Sequence, residues 1–155
     1  MPSTKPSRFQ PEPCLSPSEL LETLRLRPGE CVAEIGLGPY CEEMARAVGP
    51  EGRVFPVEPA HDPRIPQACC DRLVIANLWG YLDDPLAMLG EAARLLREDG
   101  RLVIIERHES QPGGTSFREL IQALEHNCWD IHRHGDAGGL CYFIEASVTD
   151  ESVQS

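Results

Sequence analysis

A chain of 155 residues, 41% of them apolar, is long enough to bury one core, which excludes an extended disordered protein and makes a single domain the expectation. The 25 acidic residues outnumber the 14 basic ones, and a formal net charge of −11 repels a phosphate backbone, so no nucleic-acid partner is expected. No secretory leader and no apolar segment of membrane-spanning length is recognised, so the expectation is a cytoplasmic protein without a membrane partner, its seven cysteines present as reduced thiols.

In chain order, residues 1–15 carry prolines at 2, 6, 11 and 13 and no hydrophobic period, the composition of a flexible arm. Ser16, Pro17 and Glu19 then form a capping-box signature that opens a short helix over about 17–26. After the Pro28-Gly29 turn, Cys31 to Ile35 reads as a buried parallel strand running into Gly36-Leu37-Gly38. Cys41 to Val48 follows as a helix stopped by Gly49-Pro50, and Arg53 to Glu58 as a strand whose Pro56 favours a sheet edge. The run RLVIAN (Arg72 to Asn77) is a third strand. Asp84-Pro85 opens a helix expected to continue to Asp99-Gly100, and Arg101 to Glu106 is a fourth strand. Ser116 and Glu119 cap a helix reaching about Trp129. Strands at 130–134 and 140–147, joined by the glycine-rich 135–139, make an antiparallel hairpin, and residues 149–155 are expected to be a flexible tail. The folded unit is therefore 16–148: an α/β fold with a mostly parallel sheet, helices on both faces and a C-terminal antiparallel hairpin, its ligand crevice at the carboxyl ends of the strands.

Two stretches, RLRPGECVAEIGLG (Arg25 to Gly38) and CDRLVIANLWGYLDDPLAMLGEAARLLREDGRLVIIE (Cys70 to Glu106), resemble the class I S-adenosylmethionine-dependent methyltransferases, and the order of elements agrees over about residues 16–148. The resemblance implies a Rossmann-like methyltransferase fold that binds S-adenosylmethionine. In it Gly36 and Gly38 match glycines of the cofactor loop, where the backbone turns sharply and approaches the methionyl carboxylate, and Glu34 matches the acidic residue before them. Glu58, 22 positions past Gly36, matches the acidic residue at the end of the second strand, a carboxylate that accepts from both ribose hydroxyls. Asn77 and Leu78 are expected to line the cofactor cleft, and Trp79 and Tyr81 to face an acceptor or to pack as a shield over the crevice.

The chain departs from the family in two places. Pro39-Tyr40-Cys41 stands where a third glycine is usual, so Tyr40 is expected to narrow the methionine pocket. Only twelve residues, 59–70, separate Glu58 from Asp71, and prolines at 59, 63 and 66 forbid a regular helix there, so a helix, a strand and the adenine-contacting loop of the family are missing. Such a segment spans on the order of 40 Å when extended, enough to return the chain to the next strand. The expectation is a shortened sheet of five or six strands whose cleft is open or filled by 59–70.

Methyl transfer is a direct displacement that needs alignment, with a base only when the acceptor loses a proton. His108 and Glu106, after the fourth strand, are the candidates for that base, with solvent-facing loop residues as the plainer reading; His61 is weaker. The residues His126, Cys128, His132 and His134 match no standard metal spacing, and no metal site is assigned. Two functions stand open. One is a methyltransferase acting on a small-molecule acceptor. The other is a catalytically inactive methyltransferase-fold module or subunit that has lost the cofactor and serves a protein partner.

Overall fold

The computed structural model describes residues 15–36 and 40–149. The expected arm at 1–14, the tail from 150, and Leu37, Gly38 and Pro39 lie outside the described residues. In chain order the elements are α1 (Pro17–Leu24), β1 (Cys31–Ile35), α2 (Cys41–Val48), β2 (Arg53–Val57), β3 (Cys70–Ala76), a 3-10 turn (Trp79–Tyr81), α3 (Pro85–Leu95), β4 (Leu96–Arg107), α4 (Phe117–His126), β5 (Trp129–Gly138) and β6 (Cys141–Val148).

One six-stranded sheet runs in the order β2-β1-β3-β4-β6-β5. The first four strands are parallel, and β6 inserts antiparallel between β4 and β5. Side chains alternate across this sheet, so Ala33, Ile35, Leu73, Ile75, Leu102 and Ile104 face α3 and α4, while Val32, Val74, Val103 and Ile105 face α1 and α2. Both faces being covered is why β3 and the centre of β4 read as continuous apolar runs. The helix starts match their sequence signals: Ser16 and Glu19 close the capping box of α1, and Asp84 and Ser116 accept from the amides of Ala87 and Glu119.

Several boundaries differ from the sequence reading: α1 ends at Leu24 rather than about residue 26, and α4 ends at His126, with Trp129 opening β5 rather than closing the helix. Helix α3 ends at Leu95 rather than near Asp99-Gly100, because Leu96 turns extended and pairs with Cys70, so tertiary pairing overrides the local helix pattern. The glycine-rich 135–138 is strand rather than turn: Gly135 and Gly138 pair with Phe143 and Cys141, and the reversal is left to Gly139 and Leu140. Cys31, Cys41, Cys69, Cys70 and Cys128 are free thiols, but Cys141 is disulfide-bonded, so the expectation of reduced thiols throughout fails there. An odd cysteine count is compatible with one bridge.

Segment 59–69 contains no helix, as its prolines require. It lies as a strap across α3. The Arg94 guanidinium donates to the carbonyls of Ile65 (2.8 Å) and Asp62 (3.1 Å), and the amides of Ala68 and Cys69 donate to the carbonyls of Arg94 and Leu95, both at 2.8 Å. Among the described residues β2 is the edge of the sheet, with no strand beyond it.

Candidate functional site at the carboxyl ends of the strands

Parallel strands deliver their following loops to one rim, and the residues singled out from the sequence divide there into three groups. At the end of β1, Glu34 is completely buried. Its Oε1 accepts from the Cys41 thiol at 3.2 Å, the Tyr40 amide also donates to the carboxylate, and Oε2 has no partner. Burial raises its pKa, the two hydrogen bonds only partly opposing this. The Cys41 thiol is pushed up to about 12 by burial and by the facing carboxylate, so it is a donor rather than a nucleophile. Gly36 has φ +120°, and a Cβ there would meet Leu78 Cδ2 at 3.4 Å, so the chain needs glycine at this turn. Gly38 lies outside the described residues. The Tyr40 ring is buried among Leu15, Leu20 and Met44, its hydroxyl 3.4 Å from the backbone of Leu15; the ring belongs to the core on the α1 side.

At the end of β2, Glu58 is exposed and lines a cleft of about 480 Å³. Its walls are the strap (Pro59, Ala60, His61) and the segment that enters α3 (Leu82, Asp83, Asp84, Ala87, Met88). The strap wall is fastened by a buried carboxylate. Glu91 accepts from Arg94 at 2.6 and 2.9 Å and contacts His61 Nδ1 at 2.8 Å. The Arg94 hydrogen bonds, helped by His61, hold Glu91 down to about 2 against its burial.

The third group follows β3 and β4. Asn77, Leu78 and Trp79 are all buried, so they pack rather than open a cleft, and Asn77 sits at φ +56° with its amide on the Ile105 carbonyl. Glu106, only 1% exposed, accepts from the Trp79 amide at 2.9 Å, from the Leu78 amide and from the Thr115 hydroxyl at 2.9 Å. Burial pushes it up to about 7 despite those donors, which are all neutral. Glu106 therefore ties the loop after β3 to the loop after β4 and does not point outward as a base. Tyr81 is half-buried, with its hydroxyl close to Gly113. His108 is 44% exposed, lies 5.4 Å from the Tyr142 ring and has Asp136 at 3.6 Å.

The structure thus gathers Glu58 and the strap around one cleft and places Glu34 and Gly36 at the neighbouring strand end, while His108 stands on the β4 side. Sequence reasoning missed Glu91, Arg94 and the α3 entrance as builders of the cleft; the Asp84-Pro85 helix start was the available signal for the last of these. His132 contacts Ser147 Oγ and His134 packs on Phe117. Among the described residues no three potential ligands come together to hold a metal. A second concavity of about 420 Å³ lies at the amino ends of the strands, where Arg72, Arg97 and Arg101 are paired with Glu30, Asp71 and Glu145. No helix is long and apolar enough to cross a membrane among the described residues.

No protein-family model matches the chain. An uncharacterized 37.1 kDa protein of a Streptomyces fradiae transposon is 30% identical over 120 residues, covering 57% of this chain and 33% of that protein. The chain therefore spans about a third of the length of that curated relative. Among solved structures, a SAM-dependent methyltransferase from Aquifex aeolicus matches with a TM-score of 0.75 at 22% identity, covering 91% of this chain and 92% of that one. A TehB-like SAM-dependent methyltransferase from Corynebacterium glutamicum matches at 0.65 and 16% identity, covering 87% and 89%. A Haloferax volcanii methyltransferase complex with its activator matches at 0.61 and 13% identity, covering 85% and 91%. The chain has the class I methyltransferase fold, with the sheet ending at β2.

Proposed function

We propose that the protein binds S-adenosylmethionine at this rim and transfers its methyl group to a small-molecule acceptor. The observation that carries the reading is the cleft of about 480 Å³ beside Glu58, a volume within the range of small-ligand sites. Glu58 would accept from the ribose hydroxyls, and the apolar surface of Leu82, Ala87 and Met88 would take the nucleobase. Gly36 would let the backbone approach the methionyl end, and the buried Glu34, through its bonds from the Cys41 thiol and the Tyr40 amide, would support the loop that follows β1. Asn77 and Leu78 would then act from behind, as the packed support of the cleft.

The bound cofactor supplies an electrophilic methyl on a sulfonium. The acidic lining of Glu58, Asp83 and Asp84 favours that positive charge. The protein's work is alignment: the strap and the α3 entrance hold the nucleoside half, and the Glu106-tied loops set where an acceptor stands beside Trp79 and Tyr81. His108 would take a proton from an acceptor that has one to lose, a reading supported by its exposure and by Asp136 at 3.6 Å.

A second reading is favoured by the burial of Asn77, Leu78 and Trp79, which leaves little open surface on the β3 loop: the fold serves as a module for a protein partner, as a methyltransferase of the same fold does with its activator. Calorimetric titration with S-adenosylmethionine and S-adenosylhomocysteine separates the two. Micromolar binding weakened about tenfold or more by Glu58→Ala supports the first reading, the loss corresponding to about 1.4 kcal/mol. No binding by the folded wild type supports the second.

A further inference from the structure

The strap wall of the cleft carries one ring whose hydrogen-bonding sense is set by its neighbours. His61 is exposed, and its Nδ1 lies 2.8 Å from Glu91 Oε1. Glu91 in turn receives the Arg94 guanidinium on both oxygens, at 2.9 Å on Oε1 and 2.6 Å on Oε2. A carboxylate gripped by a guanidinium in this forked way is ionised and has no proton to give, so the hydrogen between Glu91 and His61 sits on Nδ1. In the neutral imidazole the other nitrogen, Nε2, is then a bare acceptor. No hydrogen bond occupies it among the described residues.

Where this acceptor stands follows from the helix to which it is fastened. Ala87 and Met88 precede Glu91 by four and three residues on α3, so the three share one face, and all of them line the cleft together with His61. The imidazole is therefore held about 5.4 Å, one helical turn, along α3 from the apolar surface of Ala87 and Met88. On the strap, Glu58 comes first, then Pro59 and Ala60, then His61, all in the same wall. A carboxylate, a short stretch of chain and an acceptor beside an apolar floor follow the order of ribose and base edge in a nucleoside. Beyond His61 the strap is tied again, by the Arg94 bonds to the carbonyls of Asp62 and Ile65, so the ring is fixed on both sides.

We propose that Nε2 of His61 accepts a hydrogen bond from the exocyclic amino group of the cofactor's adenine, making His61 the residue that selects the nucleobase. This rests on the reading that the cleft takes the nucleoside half of the methyl donor. The adenine-contacting loop of the family is missing from this chain, and the assignment puts its task on the strap that stands in its place. An acceptor at the base edge gains a hydrogen bond from an amino group and meets a lone pair where a carbonyl replaces it, so adenine is favoured over hypoxanthine. His61 is then a binding residue and not a base.

The test is calorimetric titration of the full chain with S-adenosylhomocysteine and S-inosylhomocysteine, which carries a carbonyl in place of the amino group, at pH 8.5, above the ordinary imidazole range. The wild type is expected to bind the adenosyl compound about fivefold more tightly, the worth of one neutral hydrogen bond. His61→Phe keeps a ring and removes the acceptor, and His61→Ala removes the ring; in both, the preference is expected to vanish while thermal melting shows a folded protein. No binding of the adenosyl compound by the folded wild type overturns the cleft reading and this assignment with it. Equal binding of the two compounds by the wild type, or a preference that survives both substitutions, overturns the assignment alone and leaves the cleft reading standing. A surviving preference would pass the amino group to the carboxylates of Asp83 and Asp84, which also line the cleft.

Discussion

Two loops at the carboxyl rim are each held by one buried glutamate, and the two glutamates are set in opposite electrostatic states. Glu91 fastens the strap through a guanidinium and an imidazole, and those partners hold it down to about 2. Glu106 joins the loops after β3 and β4 through two amides and a hydroxyl, and without a cation burial wins and pushes it up to about 7. The state of a hydrogen-bonded carboxylate is thus set by its partners' charge together with its depth, Glu106 lying deeper in the fold than Glu91. The strap is built to stay closed at neutral pH. The β3–β4 junction is built to titrate there.

The largest expected effect comes from that contrast in pH. Glu106 holds its proton more tightly folded than unfolded, so its stabilisation is complete below the ordinary 4.5 and is lost as pH rises through 7. Urea unfolding is expected to give a Glu106 contribution about 3 kcal/mol larger at pH 4.5 than at pH 8, and Glu106→Gln should flatten the slope. An unchanged slope in that variant would break the comparison. Glu91 has the reverse sign: its contribution is present above 4.5 and is lost as pH falls toward 2. Glu91→Ala should cost about 2 kcal/mol at pH 7 and open the strap to proteolysis between residues 59 and 69, with the cost shrinking in acid.

Smaller changes sharpen the picture. Thr115→Val removes one donor from Glu106 and should cost about 1 kcal/mol at pH 8, while moving the midpoint of the pH transition upward. His61→Ala should cost under about 0.5 kcal/mol, because the imidazole is 61% exposed and Arg94 remains on Glu91. A larger loss there would make His61, rather than Arg94, the clasp.

The apolar runs at 31–35, 72–77 and 101–106 were legible because both sheet faces are covered, and the proline spacing at 59, 63 and 66 announced the missing helix. The start of β4 was not, since Arg97 to Gly100 looks like a helix end and becomes strand only through the pairing of Leu96 with Cys70. At the site, Glu58 was legible as a strand-end acid, whereas Glu106 looked like a free rim carboxylate. Its burial depends on amides delivered from residues 78 and 79, a contact across 27 positions that no local pattern encodes. Glu91 and Arg94 are visible as an i,i+3 pair, but their hold on the strap needs the strap's carbonyls in place.

The bare edge of β2 has a consequence for self-association. The Arg53 amide points inward to the Glu30 carbonyl, so by alternation the outward-facing amides of the strand belong to residues 54 and 56. Position 56 is proline, which halves the donors available to an incoming strand, and the exposed Arg53 adds a charge beside them. Where the fold stops one strand short, it also withholds the template on which a second molecule would extend the sheet into a fibre.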